Sequence, residues 1–446
     1  MTKIMTFLKS KGAVVDEGIR EHIETWRCWY RGLVPDFHNY EIFNGQKRVP
    51  NRRLSLGMAK KASEDFANLL LNERVAITSD NERFSALLAQ TLEANKFFFR
   101  GNQLIEKTFA LGTGAFVEWK DSDGRVVIDY VEADMIFPIT VENGEITEAA
   151  FASEKTSNGK KVFYVQIHRR GAVENYLLND AGKPTALPAG VAAAYPAPVR
   201  LFQIIKPNIV NNIEMTSAMG ISVFANAIDP LRGVDTVYDS LVNDFVIGRS
   251  RVLVPMKYAT IQQTANGTKK PIFDTNDTVF YVFESPNEQA KMEFHQPAIR
   301  ASEHVVGLNR ALSLFSDKCG LGNDRYRFEG SGLQTATQVI SEKSELYQNI
   351  RKHELLLGQA LRDMTKAVAS LSGMEAGVVG VKFDDSIIED SGARKAQFIA
   401  EINAGIRQAW EYRVEFLGED ETTARLVTGE IAATDTSEPP EPEPGA

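Results

Sequence analysis

The chain has 446 residues, 43% of them apolar and 24% charged, with a net charge of −9. That length points to two to four domains or subdomains, and the composition is that of a folded protein rather than a disordered or fibrous one. The acidic balance argues against a tight grip on nucleic acid over a large surface, which needs a basic face.

Much of the charge is terminal. Asp435, Glu438, Glu441 and Glu443 contribute −4 with no base among them, leaving about −5 for the rest. Cys28 and Cys319 form no CxxC pair and no metal spacing, so two reduced, buried thiols are expected. MTKIMTFLKSKG has neither a long apolar core nor a small-residue cleavage site, and no window approaches 18 uncharged apolar residues. Neither a secretory signal nor a membrane span is expected.

Helices come first. In DEGIREHIETWRCWYRG, Asp16 is placed to cap a start and Gly32 an end, and Ile19, Ile23, Trp26 and Tyr30 share a face. A second helix is expected from about Ser55, with Leu56, Ala59, Ser63, Phe66 and Leu70 inward. A third begins near Glu82, with Phe84, Leu88 and Leu92 inward. After Phe97–Phe99, the positions of Leu104, Ile105, Thr108 and Leu111 predict a fourth.

The pattern changes after Gly114. AFVEW and RVVIDYVE flank the polar turn Lys120–Gly124 and read as a hairpin. MIFPITV, EITEAAFASE, KVFYVQIHRR and VENYLLND follow as short strands, separated by turn residues such as Asn143-Gly144. KPTALPAGVAAAYPAP reads as a surface loop. Residues 114–205 thus form a strand-rich region inserted in a helical protein, and the fold class is α+β.

Helix is expected at Ser217–Ala227, and again from Asp229 as cap with Pro230 in the first turn, striped by Val234, Val237, Leu241 and Phe245. RVLVPM and the segment around VFYVFE are strand-like. Helix resumes at Ser302, with Val305, Leu308, Leu312 and Phe315 on one face. The glycine-rich stretch CGLGNDRYRFEGSGLQTATQV follows, and then the longest helix, about Thr335–Leu371, roughly 55 Å long at 1.5 Å per residue. VVGVKFDD reads as a strand, Ser391 to about Trp410 as a charged helix, and EDETTARLV as a short one. TDTSEPPEPEPGA is expected to be disordered.

Catalytic signatures fail on inspection. The glycine-rich stretch has no lysine after its glycines, and a helix, not a strand, precedes it, which speaks against a nucleotide loop. His353-Glu354 opens an HExxH pattern, but Leu357 stands where its second histidine belongs. Asp121, Asp123 and Gly124 lack the spacing of a calcium loop, and no GxSxG elbow occurs. Asp384-Asp385 and Glu389-Asp390 could in principle hold a metal, but acidic pairs near helix starts are more often caps and dipole partners. No cofactor and no enzymatic activity are expected. Trp26, Trp29 and Tyr30 read as core. Lys47, Arg48, Arg52 and Arg53 form the densest basic cluster; such a cluster is usually a solvated face or a partner contact, and less often a phosphate contact.

Four segments resemble a known family. WRCWYRGLVPDFHNY (Trp26–Tyr40), RRLSLGMAKKASEDFANLLLNERVAI (Arg52–Ile77), TATQVISEKSELYQNIRKHE (Thr335–Glu354) and FDDSIIEDSGARKAQFIAEINAGI (Phe383–Ile406) are similar, in this order, to segments of tailed-phage portal proteins of siphophages with Gram-positive hosts. The likeness spans roughly residues 15–430. It implies a phage portal fold with long helices, a strand-rich wing insertion, a stem of two helices, a small clip and a helical crown. Residues 1–228 would be the N-terminal part of the wing, 229–249 a stem helix, 250–299 the clip and 300–319 the second stem helix. A tunnel loop would occupy 320–334, a long wing helix and strand 335–390, the crown 391–430 and an acidic Pro-rich tail 431–446.

The resemblance also implies a function. Portal proteins form a ring, typically of twelve copies, at one capsid vertex, and the genome enters and leaves through it. Expected partners are further copies of the chain, double-stranded DNA in the channel, the terminase large subunit, a head–tail adaptor, and the major capsid and scaffolding proteins, with no membrane. The implied location is the virion, with assembly in the host cytoplasm. The loop residues are Gly320, Gly322, Asn323, Asp324, Arg325, Tyr326, Arg327, Glu329, Gly330 and Gly332. Arg325 and Arg327 are expected either to touch phosphate transiently, restrained by Asp324 and Glu329, or to pair between neighbouring copies. The alternatives are a metal-dependent nucleic-acid-processing enzyme centred near Asp384, and another phage head or tail structural protein.

Overall fold

A computed structural model describes residues 2–14, 16–43, 47–121, 123–157, 159–188, 190–255, 261–263, 269–271, 280–283, 291–323, 325–327, 336–383 and 391–429. The chain forms two units, residues 1–383 and 384–446.

The first unit opens with α1 (Thr2–Ser10), whose Ile4 and Leu8 are buried. α2 (Glu17–Tyr30) starts where predicted: the Asp16 carboxylate accepts the Ile19 N–H at 3.2 Å. Ile19, Ile23, Trp26 and Trp29 are buried, so the tryptophans are core. α3 (Pro35–His38) leads into a hairpin of β1 (Asn39–Phe43) and β2 (Arg48–Arg52), which the sequence pattern did not disclose. α4 (Met58–Leu70), β3 (Ala76–Ser79), α5 (Glu82–Ala94) and α6 (Phe97–Leu111) complete the helical part. Phe97–Phe99 belong to α6 itself rather than to its approach. Phe66 of α4 stacks on Phe109 of α6, with ring centres 5.0 Å apart.

Strands β4 (Gly114–Lys120) and β5 (Val126–Glu132) form the expected hairpin. β6 (Ile136–Glu142), β7 (Glu145–Ser157), β8 (Lys160–Arg169) and β9 (Gly171–Asn179) run antiparallel in sequence order. The alanine-rich loop adds two short strands on the outer side of β9, β10 (Pro184–Thr185) and β11 (Ala194–Ala197). β12 (Phe202–Ile205) returns to pair with β4. In β8 the two-residue period turns Phe163, Val165 and Ile167 toward α1, where Ile4 and Leu8 close over them. Each such aliphatic burial is worth roughly 1.5–3 kcal/mol. The other face carries His168, packed edge-on to Phe151 and Phe202 with ring centres 5.4 Å away.

Residues 217–227 are not the predicted helix. They run as turns, with a single 3₁₀ turn at Ala225–Ala227. Their backbone groups are used elsewhere: the Gly220 N–H donates to Thr113 Oγ1 at 2.9 Å and the Val223 N–H to the Phe109 carbonyl at 2.9 Å. Gly112, at φ +89°, lies so close to Gly220 that a Cβ there would stand 2.5 Å from the Gly220 carbonyl oxygen.

α7 (Ile228–Ile247) starts one residue before Asp229, which is 93% exposed and caps nothing; Ala227 holds the cap position. The segment after it contains β13 (Arg251–Pro255), β14 (Ile261–Gln263), β15 (Lys269–Pro271), β16 (Phe280–Phe283) and β17 (Glu293–His295). β13 pairs parallel with β16 and antiparallel with β17, while β14 and β15 pair with each other. α8 (Ala301–Cys319) runs back along α7. Asp244 near the end of α7 meets Arg300 and His304 at the start of α8, and Val237 faces Gly307.

α9 (Ala336–Ser372) is the long helix expected, 37 residues. Leu357, Leu361, Met364 and Val368 are buried on its inner face. β18 (Val379–Lys382) pairs with β3, returning the chain to the start of α5. There Asp80 Oδ1 accepts the Val378 N–H at 2.7 Å and Asn81 Nδ2 donates to the Glu375 carbonyl at 3.0 Å.

The second unit contains α10 (Ser391–Asn403), α11 (Ala409–Leu417) and α12 (Glu421–Val427). The predicted helix 391–410 therefore breaks after Asn403, and Trp410 belongs to α11. Gly405 at φ +72° lies in the break. Phe398 is buried edge-on to Phe416, with Arg407 above its ring at 4.3 Å. The predicted tail 431–446 lies outside the described residues.

Candidate functional site

α7 is fastened to the N-terminal helices by carboxylates placed inside its apolar stripe. Asp235 and Asp239 lie one turn apart and both are buried. Asp235 Oδ1 accepts the Leu56 N–H at 2.8 Å, and Asp239 Oδ1 accepts the Leu54 N–H at 3.0 Å. His38 completes the clamp. Its Nδ1 accepts the Val34 N–H at 2.8 Å, which leaves Nε2 to donate to Asp235 Oδ2 at 3.0 Å. Beyond this clamp the α7 stripe emerges: Leu241 is half-buried and Phe245 exposed. At the same end Arg300, then His304, hydrogen-bond Asp244 and hold its carboxyl down at about 2.

α8 ends in the left-handed region at Gly320, whose φ is +78° and whose N–H bonds back to the Asp317 and Ser316 carbonyls. Glycine is needed here because other residues pay for that angle. Part of the glycine-rich stretch is packed. Leu321 and Tyr326 are buried, and Gly322 is buried at φ +79°. Tyr326 donates its hydroxyl to Asp65 Oδ2 of α4 at 2.8 Å, and Arg325 Nε stands 3.6 Å from the same oxygen. Asn323, Arg325 and Arg327 are exposed. Asp324, Glu329, Gly330 and Gly332 lie outside the described residues, as do Asp384, Asp385, Glu389 and Asp390.

The basic cluster divides. Lys47, Arg48 and Arg52 are exposed on the β1–β2 hairpin, and Arg48 stands 3.7 Å from Glu41. Arg53 turns inward: it donates to the Phe37 carbonyl at 2.7 Å and lies over the Phe37 ring at 4.2 Å.

Two more polar groups, His353 and Glu118, are buried. His353 is core: its Nδ1 accepts the Asn208 N–H at 2.9 Å, the ring packs on Phe66 and Phe109, and burial lowers its pKa to about 3. Glu118 in β4 is fully buried, and neither carboxyl oxygen has a hydrogen-bond partner. Burial raises its pKa to about 8, opposed only in part by Gln203 and Arg200. Between β12 and α9 a cavity of about 120 Å³ is lined by Arg200, Gln203, Lys206, Gln359 and Asp363. Among the described residues no group of three or more His, Cys, Asp or Glu is arranged to hold a metal, and no helix is long and apolar enough to cross a membrane.

Among the described residues this arrangement positions helices and a loop. Residues 16–408 match the family described as "Phage portal protein, SPP1 Gp6-like". The chain belongs to this phage portal family. The family is structural rather than enzymatic, and the mixed helix and strand architecture agrees with it. Among solved structures, a chain of "Neck of empty GTA particle computed with C6 symmetry" superposes with a TM-score of 0.40 at 13% identity, covering 83% of this chain and 88% of that one. No curated protein matches the chain.

The residues that fasten a portal-family α7 here, His38, Asp235 and Asp239, escaped sequence reading. The available signal was a pair of aspartates four residues apart, beside the Val234 and Val237 stripe. An acid on the inner face of an amphipathic helix needs a partner.

Proposed function

We propose that this chain is the portal subunit of a tailed phage: copies of it close a ring at one capsid vertex, and double-stranded DNA passes through during packaging and ejection. Membership of the phage portal family over residues 16–408 carries the reading. In it, α7 and α8 are the stem, residues 250–299 the clip, 320–334 the tunnel loop and 391–430 the crown. The clip is where terminase and later the head–tail adaptor dock. Capsid and scaffolding proteins contact the ring during assembly in the host cytoplasm.

Two features support it. Phe245, Val246 and Val306 are exposed on the paired helices, and Phe294 on β17 is 83% exposed. A single chain leaves these apolar groups in water, and neighbouring copies would cover them. The net charge of −9 suits a conduit. Each tight phosphate contact adds counterion-release affinity, and DNA held that way does not slide.

The test is mass and shape. Twelve copies of 49.5 kDa make a particle of about 0.6 MDa. Ring-shaped particles in electron micrographs and a mass of that order are expected. A chain that stays monomeric or dimeric at high concentration overturns the proposal.

A further inference from the structure

Asp65 lies on α4, yet its contacts reach a segment 261 residues further along the chain. Its side chain is 6% exposed. Oδ1 accepts Lys61 Nζ at 2.7 Å, Oδ2 accepts the Tyr326 hydroxyl at 2.8 Å, and Arg325 Nε approaches Oδ2 at 3.6 Å. Tyr326 is itself buried against Phe315, with ring centres 6.3 Å apart. Burial, reinforced by the Asp65 charge, pushes the phenol pKa far above its ordinary value, so the hydroxyl stays protonated and donates. Hydrogen bonds to a charged acceptor in a buried setting are the stronger ones.

The Gly320 and Leu321 N–H groups close the end of α8 on Asp317 and Ser316, and Leu321 is buried. Beyond them, the Tyr326 hydroxyl and the Arg325 guanidinium converge on one carboxylate.

We propose that Asp65 is the positioning residue for segment 320–327: it sets where the chain runs after α8, and it holds Arg325 as a brace against α4 rather than as a contact for phosphate. The positioning is a property of the single chain. Only its consequence for DNA passage rests on the portal reading.

The experiment uses the full-length chain. Hydrogen exchange is measured on peptides covering 320–327 and, as an internal control, on α6 peptides covering 97–111. Variants Asp65→Asn and Tyr326→Phe are expected to speed exchange in 320–327 by about tenfold or more while α6 is unchanged. Asp65→Glu is expected to restore part of the protection. The double variant Asp65→Asn with Tyr326→Phe should exchange no faster than Asp65→Asn alone, because both act through one contact. Unchanged exchange in 320–327, or acceleration shared equally by α6, overturns the positioning role. Tyr326→Phe keeps the ring and the packing, so it remains informative if Asp65→Asn fails to fold.

Particles carrying the variants test the brace. Adding Arg325→Ala to Asp65→Asn should lower packaged DNA no further than Asp65→Asn alone. A markedly worse double variant places Arg325 on phosphate and overturns the brace. An unaltered chain that forms no ring sinks the portal reading, and the exchange result then decides the positioning role alone.

Discussion

His38 Nε2 stands 3.0 Å from Asp235 Oδ2, and both side chains are completely buried. Asp235 uses its other oxygen on the Leu56 N–H, so one carboxylate joins α3, the chain entering α4, and α7. Asp235→Ala leaves the buried His38 Nε2 and the Leu56 N–H without these partners. It is expected to cost roughly 3–5 kcal/mol, the usual penalty for removing one half of a buried pair. His38→Ala should cost a similar amount, and the double variant less than the sum of the two. Thermal or urea unfolding of the four proteins measures this. Strictly additive losses would show that the two side chains are not coupled.

Glu118 gives stability a pH dependence of defined sign. Its folded pKa is about 8, against 4.5 for the free side chain. The folded state therefore keeps a proton that the unfolded chain releases, and Glu118 erodes stability as pH rises from the lower value toward the higher. Glu118→Gln should flatten that slope. Its melting temperature should exceed that of the unaltered chain by several degrees at about pH 8, and differ little at about pH 5. Parallel melting curves across the range would refute the assignment.

Asp244 works in the opposite direction. Arg300 first, and then His304, hold its carboxyl down at about 2 from 3.8. Its contribution is full above the unfolded value and is lost as pH falls through the folded one. Asp244→Asn should weaken the α7–α8 pair at neutral pH and reduce the acid sensitivity of unfolding at the low end. Unchanged acid unfolding would show that the contact adds nothing.

Gly112→Ala tests the backbone contact between α6 and the turns that precede α7. The position combines φ +89° with a Cβ site 2.5 Å from the Gly220 carbonyl oxygen. Strain and overpacking together should cost roughly 2–5 kcal/mol. Gly144→Ala, at φ +77° with open space around it, should cost about 1–2 kcal/mol. Equal losses in denaturant titrations would remove the packing half of the argument.

Phe245→Asp with Val306→Asp tests assembly without disturbing the core, because these side chains are 52% and 70% exposed. The variant chain should fold with an unchanged melting temperature within a few degrees and fail to form rings. Rings at unaltered concentration, seen by light scattering and micrographs, would place the subunit contacts elsewhere.

Periodicity alone located most of the long elements. The stripe Leu357, Leu361, Met364 and Val368 marks α9 because a helix repeats every 3.6 residues, and all four are buried. The strand period did the same for β4 to β9. Capping was legible at Asp16 but misleading at Asp229, where the chain enters α7 from a 3₁₀ turn and needs no side-chain cap. The turns at 217–227 read as helix because their composition allows it; Thr113 and Phe109 take their backbone hydrogen bonds instead.

The four matching segments carried the family, since order and spacing along a chain survive in one dimension. The polar architecture did not. Asp65 meets Tyr326, His38 meets Asp235, and Glu118 loses its water only when distant elements close around them. A carboxylate looks the same in sequence whether water or an aromatic ring will surround it. What it costs, which proton it keeps and which loop it holds are set by desolvation, and desolvation exists only in the folded chain.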